Sequence, residues 1–188
     1  MHINVSWMHD SEHPRKTGGG SPVLADVSAA QTLVLGLGNI LLTDDGVGVH
    51  VVRALGALQQ ERVIDPAIAL CDGGTIGLAL LSEVEICRAL IAIDATEMQA
   101  PPGTVRVFLG PQMDAQLAGQ KQTANEVALA DLMMAVNLAG KAPLKRALIG
   151  IQPGSTGWGL EPTLAVERAI PIACKAVLAV LERWNHER

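Results

Sequence analysis

Five short apolar runs mark out the chain, most of them ending in a polar break that leads into apolar positions spaced three and four apart. The first run, residues 33–37, reads LVLGL and empties into Gly38 and Asn39, the pattern of a buried strand entering a tight loop. Thr43, Asp44 and Asp45 follow in that loop, and residues 46–58 have the composition and spacing of a helix packed back on a sheet. Residues 67–71 predict a second strand ending at Asp72, then a turn through Gly73, Gly74 and Thr75; Leu78, Leu81 and Val84 recur at helical spacing behind it. A third strand, residues 89–93, stops at Asp94, and Pro101-Pro102-Gly103 closes the loop that follows.

Residues 104–109 alternate and predict a strand at or near a sheet edge, whereas residues 110–122 are polar and predict no element. Thr123 and Glu126 form a capping box, so a helix begins there and runs to about Leu138, where Gly140 ends it. The last strand is residues 146–152. Residues 153–162 form a Gly-rich loop that Trp158 is expected to anchor, and residues 163–184 predict an apolar-faced helix that Pro171 kinks or breaks. Strands alternating with helices imply a mainly parallel, twisted sheet of about five strands covered on both faces, a three-layer α/β/α sandwich.

At 188 residues, 49% of them hydrophobic, the chain is long enough for one substantial core and short for two. Residues 31–188 are read as that single domain. Residues 1–30 differ in composition, with His2, His9, His13 and the run Gly18-Gly19-Gly20-Ser21-Pro22, and read as a flexible N-terminal extension whose histidines are too irregularly spaced for a metal site. A formal charge of -5 without a clustered Lys/Arg stripe argues against nucleic acid. Cys71, Cys87 and Cys174 stand apart in apolar contexts and read as small buried hydrophobes. No signal-peptide pattern and no membrane-length apolar run is present, so the chain reads as cytoplasmic, reduced and not inserted in a membrane.

The Gly36-Leu37-Gly38 triplet suggests a dinucleotide fingerprint, but Leu41 stands where that motif needs its third glycine. Asp44 and Asp45 at the helix start would repel a pyrophosphate, and the loop instead suits a cation. Because the two aspartates are adjacent, one is expected to cap the helix and the other to face the crevice beyond the strand ends. Asp94, directly after a buried strand, reads either as a second crevice carboxylate or as a loop acceptor of backbone amides. Asp72, Gly73, Gly74 and Thr75 read as a tight turn and as part of a cleft for an extended peptide. His50, about one helical turn beyond Asp45, is read as a surface residue, with a metal-ligand role as the lesser alternative. No Ser-His-Asp or Cys-His constellation is visible.

The motif GLGNILLTDDGVG at 36–48, with DGGT at 72–75, IAIDA at 91–95 and GIQP at 150–153, resembles the hydrogenase maturation endopeptidases. These proteases trim the large subunit of nickel-iron hydrogenases, and the resemblance covers most of the chain after residue 30. It implies a hydrolase acting on a nickel-loaded large-subunit precursor, working as a monomer. It also implies that the substrate's own nickel is sensed at the site and that no organic cofactor takes part. It assigns catalytic and metal-facing roles to Asp45 and Asp94, and a third ligand position at Asn125, where the family carries histidine. Asparagine is a weaker, neutral oxygen donor. Three readings of Asn125 stand: a subgroup that works with asparagine, a relative that binds the precursor without cutting it as a checkpoint or chaperone, and an altered form of an ordinary enzyme. A small-molecule hydrolase on the same fold is the remaining alternative.

Overall fold

A computed structural model describes residues 32–75, 77–119 and 124–187. The N-terminal extension, the capping box of Thr123 and Glu126, and the Asn125 side chain lie outside the described residues. Strands β1 (Thr32–Leu37), β2 (Ala69–Gly74), β3 (Ala89–Ala95), β4 (Val105–Leu109) and β5 (Lys145–Ile151) form one sheet in the order β2-β1-β3-β5-β4. All neighbours are parallel except β4, which runs antiparallel to β5 and forms an edge. The expected five-stranded, mainly parallel α/β/α architecture is the observed one.

Period-two alternation divides the core. Val34, Ile91, Ile93, Ala147 and Ile149 face one layer, made of α1 (Val47–Gln60), α5 (Leu164–Glu167) and α6 (Ile170–His186). Leu33, Leu35, Leu37, Leu90, Ala92 and Leu148 face the other, made of α2 (Leu81–Ile86), α3 (Pro111–Ala118) and α4 (Ala124–Leu138). Every described apolar position of β3 is buried, as a strand covered on both faces requires.

Several local expectations change. The helix predicted from the spacing of Leu78, Leu81 and Val84 opens as a 3-10 turn, Gly77–Leu80, before α2. The polar stretch after Gly110 forms α3, with Pro111 at its first turn, where a missing amide hydrogen costs nothing. The final helix is broken as Pro171 requires: α5 ends at Glu167 and α6 restarts with that proline in its first turn.

The chain leaves β1 through α1 toward β2 on one side, while β3 leads away through β4, α3 and α4 to β5 on the other. The sheet therefore has its switch point between β1 and β3, where a crevice opens beyond the strand ends. Gly48 fixes how closely α1 approaches this point: a Cβ there would lie 2.2 Å from the Ile93 carbonyl oxygen and 2.3 Å from that of Leu37. Gly48→Ala is expected to lift the helix off the sheet and to cost about 3 kcal/mol, read as a lower midpoint in urea with an unchanged slope.

Candidate functional site

The loop after β1 is built around Asp45. Residues Thr43–Gly46 form a 3-10 turn that packs against β3. Gly38, at φ +134°, leaves room for the Asp45 carbonyl oxygen, which would lie 1.9 Å from any Cβ at that position. The Asn39 amide donates to Asp45 Oδ2 at 3.0 Å, and the Asn39 side chain accepts from the Leu41 amide at 3.0 Å. These contacts explain why glycine and asparagine follow the strand, and they hold a buried carboxylate at the crevice.

Asp44 has a different fate. Neither aspartate caps a helix: the 3-10 turn and α1 both start without a side-chain cap bond. The Asp44 carboxylate, fully buried, instead accepts from the amides of Gly154 at 2.7 Å, Ser155 at 2.9 Å and Thr163 at 2.6 Å, and from the Thr163 hydroxyl at 2.9 Å. Residues 153–163 are thus tied to the first loop by one side chain. Thr43 adds hydrogen bonds from its hydroxyl to the carbonyls of Ser155 and Gly157, and Leu42 bridges to Gly159. Trp158, expected to anchor this loop, is 85% exposed and does not.

Asp94 sits near the end of β3, paired in register with Gly150 of β5, and is buried. Alternation along β3 puts it on the face covered by α2, α3 and α4 rather than on that of Ile91 and Ile93. Its loop is fastened by two buried polar residues. The Thr96 amide donates to the Ile151 carbonyl at 2.9 Å. Gln152 Oε1 accepts from Met98 at 2.8 Å and Ala100 at 3.3 Å, while its Nε2 donates to Glu97 Oε2 at 3.0 Å. That last bond holds the Glu97 carboxyl below its ordinary range.

The Asp45 turn and the Asp94 strand end therefore meet on the two sides of the switch point. Asn125 belongs to the first turn of α4, and α4 packs on β3 from the face that Asp94 shares. Asp72 lies farther out, at the end of edge strand β2, where it pairs with Arg53 at 3.3 Å and accepts from the Gly74 amide at 3.1 Å. Gly73 faces Leu35, Leu37 and Leu80, Gly74 takes φ +48°, and Thr75 is exposed. Among the described residues, no group of three or more His, Cys, Asp or Glu is arranged to hold a metal ion.

His50 is not the surface residue expected. It is half-buried, with Nε2 shielded and without a hydrogen-bond partner among the described residues, and burial lowers its pKa ahead of the nearby Arg53 charge. The three thiols are buried and free; burial pushes Cys87 and Cys174 up to about 11, which leaves few thiolates at neutral pH. Sequence reasoning missed Gln152, Thr96 and the bracing role of Asp44. The Gln-Pro pair after the last strand was a visible signal for the first of these. Asp44 carried none, because its partners lie more than a hundred residues away.

Comparison with known proteins agrees with this geometry. The family model described as hydrogenase maturation protease matches residues 49–180. The hydrogenase 2 maturation protease of Escherichia coli K12 is 36% identical over 156 residues, covering 82% of this chain and 93% of its own. The hydrogenase expression/formation protein HupD of Rhizobium leguminosarum bv. viciae is 32% identical, covering 84% and 77%. The solved structure of the hydrogenase maturating endopeptidase HybD from E. coli superposes with a TM-score of 0.73 at 34% identity, covering 81% of this chain and 93% of that one. The chain belongs to the hydrogenase maturation proteases, a family of peptidases.

Proposed function

We propose that the protein is the endopeptidase that removes the C-terminal extension of a nickel-loaded nickel-iron hydrogenase large-subunit precursor, with Asp45 and Asp94 facing the nickel that the substrate brings. The carrying observation is the packing of the Asp45 turn against β3 beside the switch point, with Asp94 at the end of that strand. Carboxylate oxygens are ligands suited to a divalent cation, and the substrate-borne nickel supplies that charge. Asn125, at the start of α4, adds a neutral oxygen donor. Asp72 through Thr75 line the outer part of the cleft, where glycine backbone lets an extended tail approach. The free, buried thiols support a reducing, cytoplasmic setting.

Incubating the full chain with nickel-loaded precursor and weighing the large subunit tests the reading. Loss of the extension's mass is expected, and an unchanged mass overturns it. Asn125 motivates the second reading, a checkpoint that binds the precursor without cutting. In Asn125→His, an imidazole joins the oxygen donors, so nickel affinity in calorimetric titration is expected to rise about tenfold. A parent that cuts before this change is an enzyme; cleavage created only by histidine makes the parent a binder.

A further inference from the structure

The loop braced by Asp44 presents Trp158 at 85% exposure and Leu160 at 65%, and Leu41, opposite them, is 46% exposed. These residues form one apolar patch on the backbone framework. The Gly159 amide donates to the Leu41 carbonyl at 3.0 Å and the Thr43 amide to the Gly159 carbonyl at 2.8 Å, so Trp158 and Leu160 flank the bridged residue. Leu164, 60% exposed, follows Thr163, which is itself held by Asp44. The exposure is not that of a loose loop, since four hydrogen bonds to one buried carboxylate fix the loop's position.

A chain with three Trp, one Phe and no Tyr spends one of its few aromatic side chains on solvent, on the same strand-end edge as Asp45. Contiguous exposed apolar surface of this kind marks an interaction site on a soluble protein, and a rigidly held Trp is the residue type that dominates such sites. The charges around it define what fits. Glu161 follows Leu160 within the braced loop, so an acidic segment is repelled there and a basic side chain beside apolar ones is favoured.

Resting on the proposed function, we infer that the Leu41, Trp158 and Leu160 patch is the docking surface for the precursor, receiving an extended apolar segment that carries a basic residue. Trp158 acts there as the anchor, and the Thr43–Gly46 turn carries the docked segment onward to Asp45. Because the patch and the acidic turn share a backbone bridge, docking at one sets the register of the chain at the other.

The test compares the parent with Trp158→Ala, Trp158→Phe and the distant control Leu144→Ala, whose side chain is equally exposed. Each is assayed with nickel-loaded large-subunit precursor by mass of the trimmed subunit and, independently, by titration calorimetry. Trp158→Ala is expected to weaken precursor binding and raise KM about tenfold or more with kcat nearly unchanged. Trp158→Phe is expected to recover most of the loss, and Leu144→Ala to match the parent. Equal KM and equal binding in Trp158→Ala, from a parent that trims normally, overturn the docking surface and leave the protease reading standing. If the parent binds without trimming, weaker binding by Trp158→Ala supports docking while the protease reading falls. A parent that neither binds nor trims overturns both. A parent that sediments as a dimer, made monomeric by Trp158→Ala, assigns the patch to a second copy of the chain and overturns the inference.

Discussion

Asp94→Asn is expected to reduce precursor trimming at least a hundredfold while the protein still unfolds in one cooperative step. The substitution keeps shape and one carbonyl oxygen but removes the negative charge from a side chain buried at the end of a strand covered on both faces. Charge is what the proposed chemistry needs, because electrostatic stabilisation in a water-poor site is worth several kcal/mol and an amide supplies little of it. Stability responds less, since replacing a buried ionised group by a neutral isostere also removes a desolvation cost. Mass analysis of the large subunit with time gives the first quantity, and circular dichroism on heating gives the second. Trimming at the parental rate would remove Asp94 from the machinery.

Asp44→Ala is expected to do the opposite, acting on stability first. It leaves the amides of Gly154, Ser155 and Thr163 without their acceptor, and an unsatisfied buried donor costs about 1–3 kcal/mol each. Water entering the freed loop offsets part of this, so a loss of about 4 kcal/mol is expected, or about 10 °C in melting temperature for a protein of this size. Asp44→Asn keeps one acceptor oxygen and should recover about half. Asp45→Asn separates the two aspartates, since its amide oxygen can still accept from Asn39 and the deficit should fall on trimming. Melting curves for the three variants decide the point; equal melting for Asp44→Ala and the parent would deny the brace.

The fold was legible wherever burial alone decides structure. The runs at 33–37 and 89–93 are apolar because their strands have helices on both sides, and the order of elements followed from them. The edge position of β4 was visible in its alternation, and its middle residues are exposed; its antiparallel direction was not. Helix α3 was not, because its few buried residues, Met113 and Leu117, give too short a period to read; only Pro111 signalled its start.

At the site, the acidic loop and Asp94 stood out because each interrupts an apolar strand. The division of labour between Asp44 and Asp45 did not, since adjacent identical residues differ only in what the distant chain brings to them. Trp158 misled for a related reason. A large apolar side chain in a loop ordinarily packs inward, but here a carboxylate from the first loop already supplies the fixing. The shielded Nε2 of His50 likewise depends on packing around α1 that periodicity alone does not reveal.

The link between Asp44 and residues 154–163 has a consequence for the order in which the molecule comes into being. Synthesis proceeds from the amino end, so when the ribosome has completed α4 the acidic turn has no amides to receive its carboxylate. They arrive only 110 to 119 positions later. The acidic turn therefore reaches its braced form only once residues 154–163 have been made and folded back onto it.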